Sequence, residues 1–358
     1  MSGELLVLVT GTGRSGTSTI SGSLHHLGLH VPGPFLGANK SNPKGFYEST
    51  WAVEFHKQIT HRARINDFDG QPTALDQARD AVTPQMRNDL ADWLRLQAAA
   101  APQVAVKDPR SVWAQQVWRD AAAEAGIGIR FLSMLRHPAE VIGSRATYYA
   151  NKADESHRRR YEICSVARWV NSSLISERET RGEARTFVPY TDLLDDWRTV
   201  VGRVADELGL TLNSDLAPRQ HHPVDDFIDP DLRRVRVTWE DLNVPEDLQA
   251  IAQEIWGELL TLCNSRGGDP AASARLDRLA ARYDRLFCDA AAISLDATEA
   301  AVQAARRQGA REARERIAKK REVAQRDMPV DERPLRDVSG RELLRAALQR
   351  LGRRLRLG

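Results

Sequence analysis

The sequence predicts an α/β protein with a mainly parallel central sheet and a C-terminal helical extension. Three observations lead there. Leu5-Leu-Val-Leu-Val9 is an apolar run too short for a helix, and a glycine-rich turn through Ser18 follows it directly. Beyond the turn, Ile20, Leu24 and Leu27 recur at helical spacing, with Gly28 as the stop. Later apolar runs alternate with helical stretches, the pattern of a parallel sheet covered on both faces.

Strands are expected at Leu5–Val9, Val104–Val106, Ile129–Leu135 and Thr186–Pro189. Helical stretches fall at Pro84–Ala100, Val112–Ala125, Ala139–Ala150, Tyr161–Arg178 and Asp195–Leu208. Past about residue 270 the strand signals stop. Ala271–Asp327 is rich in Ala, Arg and Glu, with Glu312/Arg316 and Glu315/Lys319 at helical i,i+4 spacing. Met328–Ser339 holds two prolines and mixed charge, as a linker does. Gly340–Gly358 is a short basic helix with Leu344, Leu348, Leu351 and Leu355 on one stripe. The expected organisation is a domain over 1–270, a helical extension over 271–327, and a linker with a basic amphipathic helix over 328–358. No internal repeat is present.

Composition narrows the function classes. The 358 residues are 42% hydrophobic and 28% charged, with a mean hydropathy of −0.47, enough apolar mass for a sizeable core. No apolar run approaches the roughly 18–20 residues of a membrane-spanning helix. Met1-Ser-Gly-Glu lacks a basic leader, and Leu5–Val9 is too short for a signal peptide. Cys164, Cys263 and Cys288 are scattered, with neither a disulfide framework nor a zinc-type pair. A cytoplasmic setting is expected. The net charge of +2 conceals an uneven distribution: +9 from residue 301 onward and −7 before it. A basic tail on a slightly acidic body implies a separate task for the tail.

The segment Gly11-Thr-Gly13-Arg14-Ser15-Gly16-Thr17-Ser18 carries the most chemistry. A glycine turn between strand and helix lets backbone N–H groups converge on an anion, and the helix dipole and hydroxyls add to the attraction. The spacing is that of a Walker A loop, but Thr17 stands where a nucleoside-triphosphate loop requires Lys. Metal-assisted phosphoryl transfer depends on that lysine. Arg14 inside the loop suits a different donor, one whose reacting group leaves a 5′-phosphate without magnesium. The bland alternative is a plain glycine turn.

Arg14–Ser18 after a strand resembles the 5′-phosphosulfate loop of sulfotransferases that use 3′-phosphoadenosine 5′-phosphosulfate (PAPS). A second mark is Arg136-His-Pro-Ala-Glu-Val-Ile-Gly-Ser144, where a strand-ending Arg and a Ser eight residues later match the family's 3′-phosphate clamp. A guanidinium fork with a hydroxyl near a helix start makes physical sense for that task. Asn42-Pro-Lys-Gly-Phe-Tyr-Glu48, Lys107-Asp-Pro-Arg110 and Pro189-Tyr190-Thr-Asp-Leu193 are similar to the bacterial branch, and the matches run in order over about residues 5–195. The resemblance implies a P-loop-like three-layer fold and PAPS as co-substrate without a metal. It places the donor against Gly13, Arg14, Ser15, Gly16, Thr17, Ser18, Arg136, Ser144 and Tyr190.

The sequence also departs from the pattern. Cytosolic small-molecule sulfotransferases carry a catalytic His shortly after a strand-ending Lys, and Lys107-Asp108-Pro109-Arg110 has none. The chain is closer to relatives in which a Glu after the first helix deprotonates the acceptor, and Glu48 is the match. An Arg-Lys-Gly-type donor segment near the C-terminus is not found. Arg14 is expected to stabilise charge on the sulfuryl group as the bond breaks. Glu48 is the expected general base, with an exposed loop acid or a helix N-terminal acid as the alternative. Lys107 stands to help the leaving phosphate or to pair with Asp108, and Arg110 to grip the acceptor or hold the loop. Tyr190 is either a donor contact or a packed strand-end ring. His25 and His26 read as surface or pocket residues of the first helix, and His221-His222 as a poor metal site.

Three functions compete on these residues. The first is sulfuryl transfer to a hydroxyl of a saccharide, glycolipid or natural product. The second is a nucleoside or sugar kinase lacking the Walker lysine, and the third a non-catalytic scaffold acting through its basic tail. That tail, with Arg345, Arg350, Arg353, Arg354 and Arg356 flanking the leucines, fits a membrane surface at the inner face or a partner subunit. Without interleaved aromatics it is a poor nucleic-acid binder.

Overall fold

A computed structural model describes residues 3–39, 42–149, 154–217, 220–228, 237–327 and 338–354. The chain divides into two compact units, Met1–Cys288 and Asp289–Gly358.

The first unit begins with β1 (Leu5–Thr10) and α1 (Thr17–His26), then α2 (Thr50–Ala63), α3 (Ala74–Ala81) and α4 (Pro84–Ala100). β2 (Gln103–Lys107) leads through a 3₁₀ turn, Pro109–Trp113, to α5 (Gln115–Ala125) and β3 (Gly128–Leu135). α6 (Pro138–Tyr149), α7 (Glu155–Glu179), β4 (Arg185–Pro189), α8 (Tyr190–Asp195) and α9 (Trp197–Leu208) follow. α10 (Pro223–Phe227), α11 (Glu246–Asn264) and α12 (Pro270–Ile293) come next.

The four strands are all parallel, in the order β2-β1-β3-β4. Alternation at period two divides β1 between two cores. Leu6 and Leu8 join Val104, Val106 and Phe131 under α2–α5, whereas Val7 and Val9 join Leu132 and Met134 under α1, α8 and α9. A third core joins Leu135 and Phe187 to α6, α7, α11 and α12. Both faces of the sheet are therefore covered, which is why its strands read as unbroken apolar runs. The chain passes from β1 to β2 on one side and returns to β3 on the other. Such a reversal opens a crevice beyond the carboxyl ends of the strands, the usual ligand position in open parallel sheets.

All four expected strands are present, each lengthened by one or two residues. Three helical readings need correction. Ala271–Asp327 is broken between Ile293 and Leu295 into two helices. Val112–Ala125 begins as an α-helix only at Gln115, because the Asp108 carboxylate caps a 3₁₀ turn by accepting from the Arg110 N–H at 3.0 Å. Asp195–Leu208 divides at Asp196, whose side chain caps α9 by accepting from the Thr199 N–H at 3.1 Å.

In the second unit, α13 (Leu295–Asp327) is a long polar helix with i,i+4 contacts such as Arg311–Glu315 at 2.9 Å. α14 (Gly340–Arg354) is capped by Ser339, whose hydroxyl accepts from the Glu342 N–H at 3.4 Å while its own N–H donates to Glu342 Oε2 at 2.9 Å. Residues 328–337 of the expected linker, with Leu355 and Arg356, lie outside the described residues. Among the described residues no helix is long and apolar enough to cross a membrane.

Candidate active site

Each strand delivers part of the site from its carboxyl end. The glycine loop follows β1, Lys107 is the last residue of β2, Arg136 follows β3 and Tyr190 follows β4. Parallel register (Val9 opposite Lys107, Thr10 opposite Ser133, Leu135 opposite Pro189) makes them neighbours along one edge.

The loop is held open from within. The Ser15 hydroxyl donates to the Thr12 carbonyl at 2.6 Å, and Gly11 and Gly16 lie at φ 127° and 91°. A Cβ on Gly16 would sit 2.1 Å from the Tyr190 ring, so only glycine lets that ring close against the loop. Arg14 adopts φ 76°, a conformation non-glycine residues seldom hold. α1 begins without a side-chain cap and without an acid in its first turn. A helix start with those properties suits an anion.

The expected 3′-phosphate pair lies beside this loop. Arg14 Nε donates to the Ser144 hydroxyl at 3.2 Å, and Arg136 Nη1 donates to the Arg14 carbonyl at 3.1 Å. Arg136 Nε also pairs with Glu140 at 3.1 Å, and its guanidinium lies over the Tyr190 ring, 5.0 Å from the centroid. Arg14, Arg136, Ser144, Tyr190 and Gly16 thus form one contiguous cluster. Tyr190 is buried, packed between loop and arginine.

At the end of β2 a second cluster forms. The Lys107 ammonium donates to Ser18 Oγ at 3.1 Å, to the Phe46 carbonyl at 3.3 Å and to Glu48 Oε1. Asn42 Nδ2 donates to the same Ser18 hydroxyl at 3.1 Å, tying the Asn42–Glu48 segment to the first turn of α1. Lys107 and Glu48 are both buried. Glu48 Oε2 is held less tightly, with the nearest Arg110 nitrogen 3.6 Å away, beyond hydrogen-bond reach. Lys107 pairs with Glu48, while its neighbour Asp108 turns to His56 and Arg110.

Arg110 reaches Asp108 through Nε at 3.1 Å, Asp67 through Nη1 at 3.0 Å, and faces Glu48. Burial by itself would lower the Arg110 pKa, but Asp108, Asp67 and Glu48 outweigh it and raise it. For Asp108 burial pulls the carboxyl upward, yet His56 and Arg110 overcome it and hold it below its ordinary value. His56 sits on α2, where Ala52, Val53, Phe55 and Ile59 make the apolar stripe. Its Nδ1 meets Asp108 at 2.9 Å, and Trp118 Nε1 donates to its Nε2 at 2.8 Å.

His25 and His26 lie among Phe35, Tyr47 and Phe227, with ring centroids 5.3–6.0 Å apart across the pairs His25–Phe35, His25–Tyr47 and His26–Phe227. Burial, then His25 and His222, lower the His26 pKa. His221 pairs with Asp226 at 3.2 Å, and His222 Nδ1 accepts from the Val224 N–H. Among the described residues no group of three or more His, Cys, Asp or Glu is placed to hold a metal.

Sequence reasoning missed His56, Asp67 and Trp118. The signal for His56 was a polar residue inside an apolar stripe at helical spacing, in a segment not read as a helix. Asp67 and Trp118 carried none, since their partners lie 43 and 62 residues away in the chain.

A strand, an uncapped glycine loop, and a cation at the end of the neighbouring strand define an anion-handling α/β protein. The profile of the sulfotransferase family (Sulfotransfer_3) matches residues 7–214, more than half the chain, and the protein belongs to that family. No curated protein gives a significant match. Among solved structures the chain is similar to the sulfotransferase domain of the Synechococcus PCC 7002 olefin synthase. Identity is 17% and the TM-score 0.41, over 72% of this chain and 95% of that one. A sulfotransferase domain from the curacin biosynthetic pathway matches at 17% identity and TM-score 0.39, over 73% and 98% of the two chains. Sulfotransferase STF1 from Mycobacterium tuberculosis matches at 16% and 0.37, over 71% and 76%.

Proposed function

We propose that the protein transfers a sulfuryl group from PAPS to a hydroxyl of a saccharide, glycolipid or natural product, releasing adenosine 3′,5′-bisphosphate. The observation that carries this reading is the buried Glu48–Lys107 pair, tied through Lys107 to Ser18 in the first turn of α1, next to the phosphate loop. It joins a carboxylate base and a cation for the leaving phosphate at one place.

The residues fit the donor: the N–H groups at the uncapped start of α1, with Gly13, Ser15, Gly16, Thr17 and Ser18, take the 5′-phosphate. Arg136 and Ser144 take the 3′-phosphate, and Tyr190 backs the loop through Gly16. Glu48 Oε2 receives the acceptor proton while Oε1 stays on Lys107. The acceptor oxygen bonds to sulfur as the sulfur–oxygen bond to the 5′-phosphate breaks. Arg14 and Lys107 offset the charge that builds on the leaving oxygen. Arg110, beside Glu48 and extending to Asp67, stands on the acceptor side. No step requires a metal.

We propose that the protein works in the cytoplasm, peripheral at the inner membrane face through α14. Leu343, Leu344, Leu348 and Leu351 on that helix are 41–66% exposed, and Arg341, Arg345 and Arg350 accompany them. Flotation with vesicles containing phosphatidylglycerol, and not with phosphatidylcholine alone, is the expected behaviour.

The decisive test is incubation with ³⁵S-labelled PAPS and lipid and saccharide extracts in the presence of EDTA. Labelled product together with adenosine 3′,5′-bisphosphate is expected. A protein that instead moves phosphate from ATP, and only with Mg²⁺, is a kinase and overturns the reading.

A further inference from the structure

Behind Glu48 runs a chain of buried hydrogen bonds that the phosphate loop does not use. An indole N–H can only donate, so His56 Nε2 presents its lone pair to Trp118. The ring hydrogen therefore sits on Nδ1 and is donated to Asp108 Oδ2 at 2.9 Å. Asp108 is fully buried and receives three donors: His56 Nδ1, Arg110 N and Arg110 Nε. Arg110 is thereby anchored with one guanidinium nitrogen 3.6 Å from Glu48 Oε2. Asp108 also immediately follows Lys107, which holds Oε1. Asp108 thus sets the direction of Arg110, while Lys107 is held by Ser18, the Phe46 carbonyl and Glu48 itself.

We infer that His56, locked by Trp118, is a positioning residue for the reaction: through Asp108 and Arg110 it fixes Glu48 with Oε2 turned toward the acceptor. The inference rests on Glu48 as the base. It goes beyond that reading because it assigns a task to a buried histidine that touches Asp108 and Trp118 rather than Glu48. A buried, satisfied polar network is costly to leave half-made, since each unpaired member bears its full desolvation penalty. Removing His56 leaves Asp108 one donor short, and the carboxylate then draws Arg110 away from Glu48. The groups facing Glu48 are Lys107 from β2 and Arg110 from the 3₁₀ turn, with Asp67 and Asp108 beyond the guanidinium. His56 faces Asp108 from α2.

The test needs no known acceptor. Release of adenosine 3′,5′-bisphosphate from PAPS with water as acceptor is followed across pH in the full-length protein. It is compared with binding of adenosine 3′,5′-bisphosphate by calorimetry. His56→Phe is expected to lower turnover by about tenfold, the scale of a misplaced catalytic group. The acid limb of its pH–rate profile moves to higher pH, and nucleotide affinity stays at the wild-type value. His56→Asn, which keeps an N–H toward Asp108, restores most of the rate. Should His56→Phe not fold, Trp118→Phe frees the ring to change tautomer, and the same shift of the acid limb is expected, smaller in size. A folded His56→Phe or Trp118→Phe protein with the wild-type acid limb and rate overturns the inference. Glu48→Gln is the control: full activity in that variant removes the base, and with it both readings, whatever the His56 variants do.

Discussion

Around the end of β1 the chain offers backbone N–H groups, hydroxyls and two arginines, with Glu140 as the accompanying carboxylate. Around the end of β2 it packs Glu48, Asp108 and Asp67 onto one lysine and one arginine. The two clusters meet at Ser18, whose hydroxyl belongs to the first turn of α1 and receives the Lys107 ammonium. The difference follows from what each must hold. An anion site keeps donors and cations in excess so that phosphate supplies the missing charge. A base site must hold a carboxylate that is already present, in one orientation and with one oxygen left for the incoming proton. The loop is therefore built from backbone and the base from side-chain ion pairs.

The largest expected effect lies on the base side. A hydroxyl acceptor has a pKa far above neutrality, so its proton must leave as transfer proceeds. Glu48→Gln should lower kcat by about 10²–10⁴, the usual worth of a general base, while calorimetry shows unchanged affinity for adenosine 3′,5′-bisphosphate. Loss of nucleotide binding in that variant would mean that the two sides are one site and would break the comparison.

On the donor side, Arg136→Ala should weaken adenosine 3′,5′-bisphosphate by about 1.5–3 kcal/mol, the range for a hydrogen bond to a charged group, and weaken 5′-AMP much less. Equal losses for the two ligands would remove Arg136 from the 3′-phosphate. Gly16→Ala sharpens the same point at the backbone. The added methyl meets the Tyr190 ring and a φ of 91°, so binding of both nucleotides should fall together, by about 1–3 kcal/mol. A Gly16→Ala, Tyr190→Ala double variant should recover part of that loss. No recovery would assign the whole cost to the backbone.

Legibility in the sequence follows the same division. The loop is local: strand, glycines, hydroxyls and helix occupy fourteen consecutive residues, Leu5–Ser18, and period and composition expose them. Arg136 and Ser144 are likewise one strand end and one helix turn. The β2 side is assembled from α2, the Asp67 loop, the 3₁₀ turn and α5, and pairings over such distances leave no spacing in the chain. Glu48 and Lys107 were each visible as candidates, but not their ion pair, because Lys107 has an acid beside it at Asp108 and meets Glu48 instead. α2 itself, Thr50–Ala63, escaped notice because His56 and Thr60 interrupt an apolar face that packing nonetheless buries.

The last prediction concerns stability and requires no ligand. Asp108 titrates below its ordinary value in the folded chain: burial opposes ionisation, but His56 and Arg110 outweigh it. In the unfolded chain an aspartate titrates near ~3.9. A depressed folded value means that the unfolded state takes up the proton first. The contribution of Asp108 is therefore complete above the unfolded value and is lost as pH falls from there through the folded one. Melting temperature should decline on acidification below about pH 4, with other paired carboxylates contributing. Asp108→Asn isolates this residue: it starts from a lower melting temperature at neutral pH, because the network has lost its charge, and falls less steeply in the acid range. If Asp108→Asn and wild type melt in parallel from pH 6 to pH 3, the carboxylate behind Arg110 is not held as an anion, and the electrical distinction between the two sides fails at its most buried point.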